Sequence, residues 1–283
     1  MTGTGWSLPT DTPREWLPAL DVPEPGRQRR LTVLLRLLLL VPQFVVVFLL
    51  GIVALLMVVI GWFAALVLGR LPDPVHEFLA GYLGYSTRVN ASAMLLVDRY
   101  PPFTLEAPPD YPVQLELRAG PLNRLAVFFR LLLMIPAAVV SSLVTAGWYS
   151  LAFFFWLLVL LLGRMPRPLF EATAATLRYG MRVHAYGLLL TPAYPKRLFG
   201  DDLPPDTLEG PRSATRPLLL GGPAKALVVA FLVLGLLGYV ASSFGSPRSE
   251  ENADPRGGPA ATLSVQHRAP PWPAADGRPL GRP

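Results

Sequence analysis

The chain lacks cysteine altogether and has only three histidines among its 283 residues. The missing thiols exclude disulfides, thiolate catalysis and cysteine-based metal sites. The sequence also contains no His-x-x-x-His pair, nucleophile elbow, P-loop or glycine-rich dinucleotide motif, each of which would carry a specific chemistry. We therefore expect no catalytic residue, no metal ligand and no cofactor, and we predict that the protein is not an enzyme.

Charge is missing from three long stretches, residues 37–68, 131–163 and 226–247. Apolar runs of about 18 or more residues are typical of membrane spans, and 52% of the chain is hydrophobic. The net charge is +6, but the cations are dispersed and flank the apolar runs, which argues against a nucleic-acid partner. We predict an all-α integral membrane protein with the lipid bilayer as its main partner and no nucleic acid.

A duplicated segment contains two of these apolar runs. Residues 30–101 and 124–195 align without a gap, and 29 of the 72 aligned positions are identical. Such an internal repeat predicts two copies of one structural unit. The repeat-matched positions that we take as structural candidates are Arg36 and Arg130, Pro42 and Pro136, Trp62 and Trp156, Arg70 and Arg164, Glu77 and Glu171, Tyr85 and Tyr179, and Arg88 and Arg182.

The apolar run in each copy is longer than one membrane crossing requires. A straight helix over residues 37–68 would be about 48 Å long, whereas the hydrocarbon core is about 30 Å thick. A proline inside a helix tends to kink or end it, so Pro42 and Pro136 predict a break in each run. The predicted interfacial or tilted helices are 28–41 and 122–135, and the predicted crossing helices are 42–69 and 136–163. The alternative is a tight intramembrane hairpin near Gly51 and near Ser141 and Ser142.

Each run is followed by a stop signal and then by a second helical pattern. The motif Gly-Arg-x-Pro-x-Pro at 69–74 and 163–168 is typical of a helix end. Apolar residues at helical spacing over 75–97 and 169–191, with charges on another face, predict a helix lying in the membrane interface. The alternative is that this charged face packs against its twin. The corresponding hypothesis pairs Glu77 with Arg182 and Glu171 with Arg88.

Residues 113–118 alternate apolar and polar side chains, which predicts a short strand. Leu20-Asp21-Val22 occupies the comparable place before the first copy, so we consider a small β-ribbon at the membrane face. The predicted segments are a disordered N-terminus (1–26), repeat 1 (27–105), a linker with a short strand (106–121), repeat 2 (122–200), a linker (201–224), a C-terminal transmembrane helix (225–246) and a disordered proline- and glycine-rich tail (247–283).

Arginines set the predicted orientation. Arg27, Arg29 and Arg30 directly precede the first run, and basic residues beside a span favour the cytoplasmic side. We therefore place the N-terminus in the cytoplasm and the C-terminal tail outside. If each copy crosses the membrane once, the two copies are inverted and the loop 70–124 lies outside.

Several motifs recur in the order of a known family. They are Pro42, Trp62, Gly69-Arg70-x-Pro72, Arg88-Val89-x-Ala91, the segment Asp98-Arg99-Tyr100-Pro101-Pro102-Phe103, and Tyr111-Pro112-Val113 before the second copy. With these motifs the chain resembles the bacterial membrane family catalogued as domain of unknown function 4389, in two tandem copies over about 20–105 and 111–200. The resemblance implies a location in the bacterial cell membrane and implies no activity. The second copy departs from it where Pro192-Ala193 replaces Asp98-Arg99.

Long apolar segments paired with amphipathic helices favour a non-enzymatic role. We expect a membrane scaffold, accessory or bilayer-shaping component that associates with itself or with another membrane protein. The alternative is a small-solute transporter or channel subunit built from the two repeats, because helices interrupted at matching positions of two repeats often mark a binding site. Pro42 and Pro136 supply such matching positions.

Overall fold

The structure is a computed structural model that describes residues 16–201 and 213–244. These residues form six helices and one two-stranded sheet. In chain order the elements are β1 (Ala19–Asp21), α1 (Arg30–Leu68), α2 (Asp73–Ala93), β2 (Gln114–Glu116), α3 (Arg124–Phe128), α4 (Arg130–Leu162), α5 (Arg167–Gly187) and α6 (Gly222–Phe244). Within the described ranges α1, α4 and α6 are long and apolar enough to cross a membrane. The predicted disordered tail, 247–283, lies outside the described residues.

The prolines do not interrupt the long helices. Pro42 lies inside α1, and Pro136 lies inside α4. The prediction that helices would end before these prolines is therefore wrong, and so is the hairpin alternative, because both helices run on unbroken. A proline removes one backbone donor, and neighbouring side chains can bond the carbonyls that it frees. In α1 the freed carbonyl is that of Leu38, four residues before Pro42, and the Tyr100 hydroxyl donates to the adjacent Leu39 carbonyl at 3.2 Å.

The stop signals end both long helices as predicted. Gly69 and Gly163 have φ values of 72° and 68°, in the left-handed region. Their backbone N–H groups donate to the carbonyls of Ala65 and Val159. A residue with a Cβ is strained in this conformation, which explains the glycine at the same position in both copies.

The second helix of each copy packs against the first. Val75 lies beside Gly61, the Tyr82 hydroxyl lies beside Gly51, and the Ser92 carbonyl accepts from Arg36. These contacts run in opposite directions along the two chains, so α2 is antiparallel to α1. α5 packs in the same way on α4, and α2 and α5 also contact each other. α5 is mostly buried among other elements and α2 is partly buried, while their position at a membrane interface stays a prediction.

The two copies are related by a reciprocal contact. The Gln28 N–H donates to the Gly163 carbonyl at 2.8 Å, and the Leu122 N–H donates to the Gly69 carbonyl at 3.0 Å. Gln28 corresponds to Leu122 and Gly69 to Gly163 in the repeat. The start of each long helix thus lies at the end of the other. α1 and α4 run in opposite directions.

The predicted β-ribbon is present and joins the copies. β1 pairs antiparallel with β2, with Leu20 opposite Leu115. Leu20 is 1% exposed and Val22 is fully buried, so the described part of the segment 1–26 is packed and not disordered as predicted. Apolar side chains at alternate positions of the ribbon enter the core, which is the usual reason for a half-buried strand.

The segment 70–124 does not stay at one end of the molecule. α2 leads back to the start of α1, where Asp98 binds Arg36. The ribbon segment then returns to Gly69, where Leu122 is bonded. The expectation that residues 70–124 form a loop on one side is therefore corrected by this geometry.

α6 packs on the second copy. It contacts α4 and α5, and the N–H of Gly221, the residue before α6, donates to the Glu171 carboxylate at 2.9 Å. A Cβ added at Gly147 on α4 would collide with the backbone of Phe231, and one at Gly235 on α6 would collide with the Leu143 carbonyl. The two backbones therefore approach closely, which only small residues allow.

Candidate functional site

The repeat-matched arginines of the long helices bind the far end of the second helix of their own copy. Arg36 Nη1 donates to the carbonyls of Ser92 and Val97 at 3.0 and 2.7 Å. Arg130 Nε donates to the Tyr186 carbonyl at 2.6 Å, and its Nη2 donates to the Thr191 carbonyl. Ser92 corresponds to Tyr186 in the repeat, and Val97 corresponds to Thr191. Both arginines are buried. Each connects the start of the long helix to the end of the second helix in its own copy.

The charge of these arginines is balanced differently in the two copies. Arg36 Nη2 lies 2.8 Å from Asp98 Oδ1. Pro192 stands in the corresponding position of the second copy, and there the Arg130 guanidinium lies 4.0 Å from the ring centroid of Tyr186. An aromatic face attracts a cation, although more weakly than a buried carboxylate does. A carboxylate therefore balances the charge of the matched arginine in the first copy only.

The arginines of the second helices bind extended segments. Arg88 Nη2 donates to the carbonyls of Thr104 and Leu105. Arg182 Nε donates to the Pro18 carbonyl at 3.0 Å, and its Nη1 donates to the Lys196 carbonyl at 3.1 Å. The hypothesis of crosswise pairs between the copies is therefore wrong.

The glutamates of that hypothesis have other positions. Glu171 is bonded to Arg167 at 3.0 Å and accepts from the Gly221 N–H. Glu77 is exposed. Glu171 therefore binds a neighbour on its own helix and the segment before α6, and not the twin helix.

A cluster of ion pairs around Asp201 was not predicted from the sequence. Arg178 Nη1 lies 2.6 Å from Asp201 Oδ2, while Arg182 and Arg197 lie 4.0 and 3.9 Å from Asp201 Oδ1. The Leu218 N–H also donates to Asp201 Oδ2 at 3.0 Å. Arg178 is only 2% exposed. The one sequence signal is that Arg178 occupies the position of Gly84 in the first copy.

Burial and charge act together on this cluster. Burial, together with the neighbouring Arg178, lowers the pKa of Arg182 to about 9, although Asp201 opposes the shift. For Asp201 burial raises the pKa, but Arg178 and the bond from Leu218 outweigh it, and the pKa of the carboxyl lies below its usual value. Asp201 thus remains ionised at neutral pH and holds the end of repeat 2 to the segment before α6.

The repeat-matched tryptophans bind across the copies. Trp62 Nε1 donates to the Val127 carbonyl at 3.0 Å, and Trp156 Nε1 donates to the Val33 carbonyl at 2.8 Å. Val33 and Val127 are themselves repeat equivalents. The same bond therefore occurs twice, once at each end of the pair of long helices.

The matched tyrosines are both buried but differ in their partners. The Tyr85 hydroxyl donates to Gln43 Oε1, and Gln43 Nε2 donates to the Pro101 carbonyl at 2.7 Å. Gln43 is replaced by Ala137 in the second copy, where Tyr179 is buried in the core cluster. Arg70, Arg164, Pro42 and Pro136 are exposed. The structure therefore does not bring all the repeat-matched candidates into one site.

One small pocket borders the Arg36 contacts in the first copy. A pocket between α1 and the end of α2, lined by Arg36, Ser92, Asp98 and Tyr100 among others, has a volume of about 50 Å³. Small-molecule sites usually measure roughly 300–1,000 Å³. Among residues 16–201 and 213–244 no group of three or more histidine, aspartate or glutamate side chains is placed to hold a metal ion.

Comparison with known proteins gives one match. The family model described as Domain of unknown function (DUF4389) matches residues 30–104 and 124–198. These two ranges cover more than half of the chain and coincide with the two copies, which confirms the resemblance inferred from the motifs. No curated protein and no solved structure matches the chain.

Proposed function

The chain belongs to the family of the domain of unknown function (DUF4389), which it carries as two tandem copies, and we propose that it is a non-enzymatic membrane scaffold or accessory protein. One observation carries the proposal: repeat-matched buried side chains bind the chain's own backbone. Arg36 and Arg130 bind carbonyls of their own copy, and Trp62 and Trp156 bind carbonyls of the other copy. Residues repeated for catalysis or transport would instead face a cavity.

The proposed membrane location is supported by the surface of the long helices. Leu37, Leu55 and Val67 along α1 are 64%, 66% and 71% exposed, and α4 and α6 carry similar exposed side chains. Exposed apolar surface of this extent marks contact with lipid or protein. We propose that α1, α4 and α6 cross the bacterial cell membrane, with α1 and α4 in opposite directions.

A protein partner or a second copy is supported by the ribbon side of the molecule. Arg216 binds Glu116 at 2.5 Å and Asp21 at 3.2 Å beside the paired strands. Such a charged surface is costly to expose to lipid. If the long helices cross the membrane, another polypeptide or water must cover this side, as expected for an accessory or self-associating protein.

The competing function, a small-solute transporter or channel subunit, loses the feature that favoured it. That feature was a pair of interrupted helices at matching positions, and α1 and α4 continue through Pro42 and Pro136. Uptake of labelled amino acids, sugars and ions into proteoliposomes tests this function directly. Saturable uptake that depends on the protein would replace the scaffold proposal.

Two measurements test the membrane proposal. Alkaline carbonate treatment of native membranes should leave the protein in the pellet. The chain has no cysteine, so single cysteines at the repeat-equivalent positions Gly26 and Gly120 report on the two ends without background. Because Gly26 precedes the contact with Gly163 and Gly120 precedes the contact with Gly69, an impermeant thiol reagent on intact cells should label only one of them. Release by carbonate, or labelling of both cysteines, would contradict the proposal.

A further inference from the structure

One end of the molecule gathers exposed arginines from both copies. Arg27 forms an antiparallel backbone bridge with Arg164, and Arg30 Nη2 donates to the Leu161 carbonyl at 3.3 Å. Arg27, Arg29, Arg30 and Arg164 are all exposed. We call these four residues the arginine patch. The sequence places Arg164 more than 130 residues from the others, so the reciprocal packing of the copies creates the patch.

The opposite end of the molecule provides an internal comparison. The repeat equivalents of the four residues are Pro121, Asn123, Arg124 and Arg70. The same local fold, with Leu122 bonded to Gly69, forms there with two arginines in place of four. The extra positive charges at Arg27 and Arg29 are therefore not required by the fold of this end.

The arginine at position 29 also has a structural cost. Asn123 caps its helix, because its side-chain oxygen accepts from the N–H groups of Leu125 and Ala126. Arg29 occupies the equivalent position before α1 and makes no side-chain cap bond. Cations at a helix N-terminus also oppose the helix dipole. Where the second copy has a capping residue, the first copy therefore has a cation that is unfavourable for its own helix.

Carboxylates in contact with the patch are already engaged. Asp98 Oδ2 accepts from the backbone N–H of Arg29 at 3.3 Å, while Asp98 Oδ1 binds Arg36. The guanidinium groups of Arg27 and Arg29 extend from an exposed surface beside the ends of two long apolar helices. Arginine presents a planar fork that matches phosphate oxygens, and basic residues beside membrane helices attract anionic lipids.

We propose that the arginine patch binds the phosphate headgroups of anionic phospholipids in one leaflet, and that it anchors this end of the molecule there. The inference rests on the proposed membrane location and adds a lipid class and a site to it. The opposite end, with Arg70 and Arg124, binds such lipids less well. Because the two ends are otherwise equivalent, this difference favours the orientation in which the arginine patch faces the leaflet richer in anionic lipid.

The test uses the two repeat-equivalent glycines as reporters. Gly26 has open space around an added Cβ, and one at Gly120 would lie 3.6 Å from Pro192, an ordinary contact. The full chain with Gly26→Cys or Gly120→Cys, labelled with a fluorophore, is placed in nanodiscs of phosphatidylcholine and phosphatidylglycerol. Quenching is measured with either lipid carrying a nitroxide at the top of its acyl chain. The ratio of phosphatidylglycerol to phosphatidylcholine quenching reports local lipid selectivity.

The expected ratio at Gly26 exceeds that at Gly120 by about fivefold or more, given the usual contribution of each extra arginine near a membrane surface. Arg27→Gln with Arg29→Asn should reduce the ratio at Gly26 to that at Gly120. The same double variant should unfold at an unchanged or higher temperature, because Asn123 shows that asparagine caps a helix at this position. Arg164→Gln, in the other copy, should reduce the ratio in the same direction.

The matched control removes two arginines from the other end. Arg70→Gln with Arg124→Gln should leave the ratio at Gly26 unchanged, and high salt should abolish the difference between the ends because it screens exposed charges. Equal quenching ratios at both reporters, or no effect of the Arg27 and Arg29 substitutions, would overturn the proposal that the arginine patch binds anionic phospholipids. Loss of selectivity in millimolar inorganic phosphate at constant ionic strength would assign the site to a free anion instead. If neither lipid quenches either label, the membrane location itself fails.

Discussion

At the scale of single residues, buried arginines hold the chain by donating to backbone carbonyls. Arg36 and Arg130 reach the same two carbonyl positions in the two copies although only one copy has a carboxylate beside the guanidinium. A guanidinium has five donors and keeps its charge when buried. It can therefore bond the last carbonyls of a helix and the loop that follows, a task that no apolar side chain performs.

The first prediction concerns Arg130. Arg130→Met should lower the free energy of unfolding by on the order of 2 kcal/mol, because the buried Thr191 carbonyl loses the guanidinium as donor and the Tyr186 carbonyl keeps only its backbone donor, the Leu189 N–H. Arg130→Lys should recover only part of this, since lysine lacks the planar fork. The measurement is thermal or denaturant unfolding of the purified protein in detergent. Arg70→Gln, an exposed change, is the control and should stay within about 0.5 kcal/mol of wild type.

The second prediction concerns Asp201 and the pH dependence of stability. Its folded-state pKa lies below the usual value, because Arg178 and Leu218 outweigh the effect of burial. A carboxyl with a lowered folded-state pKa stabilises the protein above its unfolded pKa of about 4. That stabilisation is lost as the pH falls through the folded-state pKa. The unfolding temperature of the wild type should therefore drop in acid more steeply than that of Asp201→Asn, which should be less stable at neutral pH. Parallel pH curves for the two proteins would contradict this role.

At the scale of secondary-structure elements, α4 differs from α1 because α4 must accept another helix. Gly147 lies against the backbone of α6, whereas its repeat equivalent in α1 is Val53, which is 39% exposed. The cluster of serine, threonine and glycine near 141–147 is compatible with a turn and is the basis of the hairpin alternative. In the structure the same residues lie within an unbroken helix that α6 contacts.

Two glycine substitutions test this close contact. Gly147→Val should destabilise the protein by about 3 kcal/mol, the upper end of the usual cost of overpacking, because its Cβ would collide with the backbone of Phe231. Gly238→Val is the matched control: it lies on α6 with nothing within 4 Å of an added Cβ. Unfolding temperature and protease resistance of the segment before α6 are the measurements. Equal effects of the two changes would show that the glycine contact is unimportant.

At the scale of the whole molecule, duplication produces two units that complete each other. Each long helix begins where the other ends, and the β-ribbon pairs the segments that precede the two copies. The duplicated sequence therefore does not form two independent domains. Its reciprocal bonds fix the units in opposite directions, and this arrangement brings the arginine patch together.

The tryptophans provide the prediction at this scale. Trp62→Phe and Trp156→Phe each remove one bond between copies while preserving most of the ring volume, so each should cost about 1 kcal/mol of unfolding free energy. The two losses should be similar, and their sum should describe the double variant if the ends act independently. The comparison is made by unfolding in detergent. A loss confined to one variant would contradict the reciprocal packing.

The sequence by itself determined the repeat, the family, the three long apolar helices, the glycine helix ends and the short strands. These features depend on composition, spacing and backbone conformation within a few residues, which a linear pattern records. Tertiary structure alone decided that Pro42 and Pro136 stay within helices, that α2 packs on α1 and α5 on α4, and that Arg182 binds Pro18 and Lys196. Those outcomes depend on groups that supply bonds from distant parts of the chain. No local pattern distinguishes a charged helix face that meets water from one that another segment covers.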